Sequence, residues 1–163
     1  MSKSLLLLVV PLLAVTATTA SAAVVGSDAD ACLSGKPSML VRVSGFKQPS
    51  GTVKVALYAE QGYLAKGCKL GKVVVPVRST APLDICIAVP KPGQYAVAVH
   101  HDLNGNGSKD GSDGGGYSGN PRLSIINLRP SFEKTAVHVG SAPRQVSVQL
   151  QYRHGLSIGP VSG

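Results

Sequence analysis

From Met39 onward the chain alternates between apolar and polar positions in short runs broken by glycine and proline. "MLVRVSGF" (Met39 to Phe46) and "GTVKVALY" (Gly51 to Tyr58) both carry period two, and "QPSG" between them has turn chemistry. The second run places Val53, Val55 and Leu57 on one face. "KVVVPVR" (Lys72 to Arg78) is apolar enough for a strand, but Pro76 has no amide hydrogen to give a central ladder. This run is therefore predicted at a sheet edge or a bulge. "PLDICIAVP" and "GQYAVAVHH" follow across the compact turn "KPG", and "KTAVHV" (Lys134 to Val139) and "RQVSVQLQY" (Arg144 to Tyr152) return to period two. A helical period is missing, apart from room for one turn in "EQGYLAKGCKL".

About seven strands separated by Gly and Pro predict an all-β fold, a single small β-sandwich of transthyretin- or immunoglobulin-like type. The N-terminus is set aside from that fold. Lys3 precedes the apolar stretch "LLLLVVPLLAV" (Leu5 to Val15), and the small residues "TATTASAA" follow. This is the pattern of a secretory signal peptide cleaved after Ala22 or Ala23. The apolar stretch is short for a membrane span and Pro11 interrupts it, so the mature chain is expected to have no transmembrane segment. The expected organisation is a signal peptide over 1–22, an N-terminal segment over 23–38, the sandwich over 39–152 and a tail over 153–163. Export implies the periplasm or the medium, where disulfides persist. Cys32, Cys68 and Cys86 outlive cleavage without any C-x-x-C pair, so one bridge and one free thiol are expected, with spacing leaving the partners open.

The formal charge of +8 comes from basic residues that are scattered, mostly singly, along the chain. A solvated basic face is one reading; attraction to anionic envelope lipid or polysaccharide is the other. No nucleic acid partner is expected, because the few aromatic residues form no recognised nucleic-acid module.

Three of the eight acidic residues fall in one passage, "HHDLNGNGSKDGSDGGGYSGNP" (His100 to Pro121). On the preceding strand Tyr95, Val97, Val99 and His101 share one face, and Ala96, Ala98, His100 and Asp102 the other, so the two histidines cannot enter one pocket. "DLNGNGSKDGSD" sets oxygen donors at offsets 1, 3, 5, 9 and 12: Asp102, Asn104, Asn106, Asp110 and Asp113. Gly107 at offset 6 permits a sharp turn, and the Ser108 carbonyl at offset 7 completes an EF-hand-like set for Ca2+. A strand rather than a helix enters the loop, and Asp113 stands where a longer Glu is usual, so a weaker site, or one also acceptable to magnesium, is expected. The competing reading is a loop held only by Asx-turn hydrogen bonds.

Gly114, Gly115 and Gly116 then provide for close backbone approach or positive φ. His100, Tyr117, Ser118 and Asn120 are the candidate ligand surface. A hydrolase built on Ser118, His100 and Asp102 is a weaker alternative, because no G-x-S-x-G elbow surrounds the serine. The expected function is a non-enzymatic exported envelope protein with a binding or structural role, stabilised by calcium, with a carbohydrate- or other ligand-binding module as the alternative.

"PGQYAVAVHHDLNGNG" (Pro92 to Gly107), "DGGGYSGNP" (Asp113 to Pro121) and "RPSFEKTAVHV" (Arg129 to Val139), with the terminal strand ending at Tyr152, resemble the bacterial exported domain-of-unknown-function family 2141. The likeness spans Met39 to Tyr152. It implies a small β-sandwich of the envelope and brings no established activity, substrate or catalytic residue. In the similar subgroup a cysteine before the first strand and one in the "DICIAVP" strand recur, which implies a Cys32 to Cys86 bridge and a free Cys68.

Overall fold

The computed structural model describes residues 23–161. The signal peptide predicted over residues 1–22 lies outside them. All seven expected strands form: β2 (Ser38–Ser44), β3 (Thr52–Tyr58), β4 (Gly71–Pro76), β5 (Leu83–Ala88), β6 (Gly93–Asp102), β8 (Val137–Val139) and β9 (Arg144–Gln149). Four more join them: β1 (Val24–Val25), β7 (Gly114–Tyr117), β10 (Tyr152–His154) and β11 (Ser157–Gly159). A five-residue helix, α1 (Ala29–Leu33), and a 3-10 turn at Phe132–Lys134 complete the elements.

Two sheets carry the fold. The first has the order β1-β5-β2-β9, with β2 antiparallel to β5 and parallel to β9. The second has the order β4-β3-β6-β7, and β8 also pairs with β6. Alternation decides which side chains meet between the sheets. Val41 and Val43, Ile85 and Ile87, and Val146 and Val148 point inward from the first sheet. Val53, Val55 and Leu57, together with Val97 and Val99, answer them from the second. At roughly 25 cal/mol for each Å² of apolar surface removed from water, this dry interior is the main stabilising term. Pro76 ends β4, the edge strand, at a position where no further strand needs an amide donor.

The outer face of the first sheet is closed over β5, while Arg42 of β2 and Gln145, Ser147 and Gln149 of β9 are exposed. Asp84 and Cys86 point outward from β5, and both are buried. Arg42 lies across from Asp84 in the ladder, with its guanidinium 3.2 Å from the carboxylate. The N-terminal segment covers Cys86: a Cys32–Cys86 disulfide spans a Cα separation of 6.0 Å and ties α1 to β5, while Asp28 accepts the Ala88 amide. Cys68 is free and exposed. Asp28 precedes the helix but does not cap it, because its carboxylate is engaged with β5.

The outer face of the second sheet is covered at one end, where Tyr63 and Phe132 pack over Tyr58, and is left as a groove over the rest. Its alternation turns outward Lys54, Ala56 and Tyr58 from β3, Ala98 and His100 from β6, and Gly115 and Tyr117 from β7; Ala56 and Tyr58 are buried there and the others are partly exposed. The reason for three consecutive glycines is visible here. A Cβ on Gly114 would stand 2.4 Å from the Tyr152 ring, and one on Gly116 would stand 2.7 Å from Val148. Gly115 points the other way and keeps the outer face low. The run serves close approach, since none of the three has positive φ.

Candidate functional site

A cleft of about 820 Å³ lies on that face. Ala56, Ala98 and Gly115 form a floor of small residues, with Tyr58 and Tyr117 on it. Loop 103–113 supplies one wall through Lys109 and Asp110, and segment 121–131 supplies another through Ile125, Leu128 and Arg129. The C-terminal stretch, expected as a tail, folds as the β10-β11 hairpin and brings Arg153 and Ile158 to the rim.

Five Lys or Arg side chains line this cleft, namely Lys54, Lys69, Lys109, Arg129 and Arg153, against the two carboxylates of Asp110 and Asp113. Both carboxylates are already engaged. Asp113 Oδ2 lies 2.9 Å from His100 Nε2, and its Oδ1 accepts the Leu103 amide. Asp110 accepts from Ser112, Asn104 and Asn106, and the Ser112 hydroxyl and amide, followed by the Asn104 amide, hold its carboxyl down at about 2. The cations have no such partners among the cleft's carboxylates. Lys109 is exposed at its surface, but the atoms crowded around it partly desolvate the ammonium and, with repulsion from Lys69, Arg129 and Lys54, lower its pKa from the ordinary value. Burial pushes the Tyr117 phenol up to about 12, so it stays protonated and donates to the Leu128 carbonyl at 2.8 Å.

The loop expected to hold calcium is closed by its own backbone. Asp102 is buried, and its two oxygens accept the Gly105 and Gly107 amides, each at 2.8 Å. Asn104 Oδ1 accepts the Asn106 amide and Asn106 Oδ1 accepts the Ser108 amide, while Asp113 Oδ2 also accepts the Asp110 amide. Gly107 takes the positive φ that the sharp turn demanded, at 78°. Every carboxylate in the set therefore has N–H or O–H partners, and a hard cation would have to exchange places with them. No group of three His, Cys, Asp or Glu with metal-holding geometry occurs among the described residues.

The two histidines separate as alternation required. His100 faces the cleft and latches the loop through Asp113. His101 is fully buried between Phe46 and Tyr152. Its Nε2 lies 2.9 Å from the Ser50 carbonyl and its Nδ1 lies 2.6 Å from Tyr152 Oη, which also accepts the Lys47 amide. A neutral ring donating from Nε2 and accepting at Nδ1 satisfies all of these bonds. Burial lowers the His101 pKa, consistent with that neutral form.

Of the expected ligand surface, His100 and Tyr117 reach the cleft, and Ser118 and Asn120 do not line it. Ser118 is a correction. It is fully buried, donating to the Thr135 carbonyl and accepting the Val97 amide at 3.0 Å, so it presents nothing to a ligand. Asn120 is exposed, but its amide group clamps β9 by bonds to Ser147 and Gln149. No hydrogen bond joins Ser118, His100 and Asp102, since each has the separate partners named above. The cations that make the cleft went unread in sequence. Only Lys54 carried a signal, its outward register opposite Val53 and Val55; Lys69, Lys109 and Arg129 arrive on irregular segments.

A family model described as "Uncharacterized protein conserved in bacteria (DUF2141)" matches residues 41–147. The chain belongs to this family. The match runs from β2 almost to the end of β9, so the second sheet, loop 103–113 and the β5-β2-β9 part of the first sheet fall within it, whereas β1, α1 and the β10-β11 hairpin lie beyond it. No curated protein and no solved structure matches the chain.

Proposed function

We propose that this DUF2141 protein is an exported, non-enzymatic binding module whose ligand carries concentrated negative charge and sits in the cleft on the second sheet. One observation carries the reading: Lys54, Lys69, Lys109 and Arg129 border a single cleft whose two carboxylates are occupied elsewhere. Like charges gathered around one cleft repel each other, modestly because Lys69, Lys109 and Arg129 are exposed, and an anion in the cleft relieves that repulsion. The floor of Ala56, Ala98 and Gly115 leaves room for that anion without any movement of the sheet. Export rests on the residues of the N-terminus, and the disulfide fits an oxidising compartment.

Loop 103–113 enters this reading as the wall that carries Lys109. Calcium is the cation it can take in exchange for its own amide donors, through Asp102, Asn104, Asn106, Ser108, Asp110 and Asp113, as their offsets suggest. Absence of catalysis is part of the proposal, because the one serine near the strand end is buried in structural bonds.

Isothermal titration with inorganic pyrophosphate, a compact polyvalent anion, tests the site. Binding should weaken by about tenfold or more in the K54E/K69E double variant, as expected when two charge-assisted contacts are reversed. No binding, or equal binding by the variant, overturns the cleft as an anion site. Turnover of ester, peptide or glycoside substrates that is abolished by S118A would overturn the non-enzymatic part.

A further inference from the structure

Segment 121–131 is firmly rooted, yet its tip is exposed. Leu123 and Pro121 bond the two ends of the Gln151 side chain, Tyr117 holds the Leu128 carbonyl, and Arg129 donates to the Leu64 carbonyl. Ser124 and Asn127 exchange two backbone hydrogen bonds, of 3.2 and 3.0 Å, closing a tight turn on Ile125 and Ile126. Gly, Asn, Asp, Ser and Pro are the residues that suit turn corners; two β-branched isoleucines are not explained by turn chemistry. Ile126 is 94% exposed, and Ile125 and Leu128 are about half exposed at 46% and 50%. The core gains nothing from the Ile126 side chain.

The same tip borders the cationic cleft. Ile125 and Leu128 line it directly, Arg129 follows them in both chain and space, and Arg122 precedes the turn. The β10-β11 hairpin repeats this pairing on a smaller scale: Arg153 and Ile158 sit at the cleft while Leu156, at the hairpin turn, is 81% exposed. Exposed apolar tips beside a basic cleft match the layered chemistry of an anionic membrane surface, which places phosphates directly over an acyl region. A soluble polysaccharide supplies the negative charge and leaves Ile126 in water.

We infer that the chain docks on an anionic lipid bilayer, inserting the Ile125–Leu128 tip while the cleft takes a phospholipid headgroup phosphate. The inference rests on the cleft being an anion site and adds the lipid source. Lys54, Lys69, Lys109 and Arg129 meet the phosphate plane, and Ile126 enters the acyl boundary. His100 stays engaged with Asp113 and leaves the phosphate to the lysines and Arg129.

Sedimentation with vesicles of phosphatidylglycerol and phosphatidylcholine, against vesicles of phosphatidylcholine alone, tests it on protein purified after export and processing. Binding is expected to the anionic vesicles and to fall with salt. The exposed substitution Ile126→Asp should weaken it roughly tenfold or more, since an apolar insertion is replaced by a charge. That variant should bind pyrophosphate as wild type does, which separates the tip from the cleft and shows that the fold is intact. Equal vesicle binding by wild type and I126D, or equal binding to both vesicle types, overturns the docking. Pyrophosphate binding without any vesicle binding overturns it too and leaves the cleft standing, whereas failure of both probes sinks both readings. Concentration-dependent self-association that I126D abolishes, with no vesicle binding, would make a second copy the occupant and would equally overturn the lipid.

Discussion

The two sheets of this sandwich share one interior but treat their outer faces in opposite ways. On the first sheet, Asp84 and Cys86 are outward-facing yet buried, because Arg42 pairs with one and disulfide-bonded α1 covers the other. On the second, the corresponding face keeps small residues, cations and two tyrosines under irregular segments that meet only at its rim. Over β5 the first face is sealed with a covalent link and a paired charge. A face whose cations have no partners among the cleft's carboxylates is the one for which we propose a ligand. Similar strands thus acquire different tasks from what covers them.

Removing the seal should produce the largest effect. The C32S/C86S variant is expected to lose about 2 to 4 kcal/mol in chemical denaturation, since a long loop in the unfolded chain is no longer constrained. Its pyrophosphate affinity should match wild type, because the second sheet does not depend on α1. A parallel loss of affinity would show that the two faces are coupled.

Overpacking the glycine run gives the next effect and divides one strand by face. Gly116→Val would push a side chain into Val148 and the Gln149 backbone and should cost about 1 to 3 kcal/mol. Gly115→Val points into the cleft, where its nearest neighbour is the Val99 carbonyl at 3.7 Å, so it should leave stability nearly unchanged and obstruct pyrophosphate. Reversed outcomes in melting and titration would mean that the strand's faces are assigned wrongly.

Acidification tests the interior both faces share. His101 has a lowered pKa in the folded state, so the unfolded chain takes up its proton first. The contribution of neutral His101 is present above the unfolded value of about 6.5 and is lost as pH falls through the folded value. Denaturation midpoints measured from about pH 8 down to about pH 5 should therefore decline, and H101Q should flatten the decline. A profile that is unaffected by the variant would contradict a neutral, buried His101.

Calcium should give the smallest effect. Exchange of the Asp102 to Asp113 loop from its own donors to a weakly held ion should raise stability by about 1 kcal/mol or less at millimolar calcium, and D102A should erase that rise. A melting temperature that ignores calcium would leave the Gly105 and Gly107 amides as the partners of Asp102 and the Asx turns as the loop's sole support.

Periodicity made the sandwich legible. Val53, Val55 and Leu57 entered the core as their spacing required, Pro76 marked an edge strand, and the opposed faces of His100 and His101 followed from alternation. What lacked a period was hidden. β7 is a glycine run with no side chains to alternate, and α1 is too short for a helical pattern to develop. Tyr152 and Ser50 complete the His101 site from strands and turns 51 residues away, and Ser118 reads as a surface serine until Thr135 and Val97 enclose it. The cationic cleft was hidden for the same reason, since Lys69, Lys109 and Arg129 sit on three separate irregular segments and gather only in the fold. The family likeness carried the disulfide assignment, which spacing left open.

Amide shift mapping tests most directly whether the grooved face is the binding face. Pyrophosphate added to nitrogen-15-labelled protein, followed by two-dimensional NMR, should move resonances at Lys54, Ala98, Lys109, Gly115 and Arg129. Asp84, Cys86 and Ala88 on the sealed face should stay in place. Shifts centred on the α1 side, or saturable binding that moves none of the cleft residues, would contradict the division of labour between the two sheets.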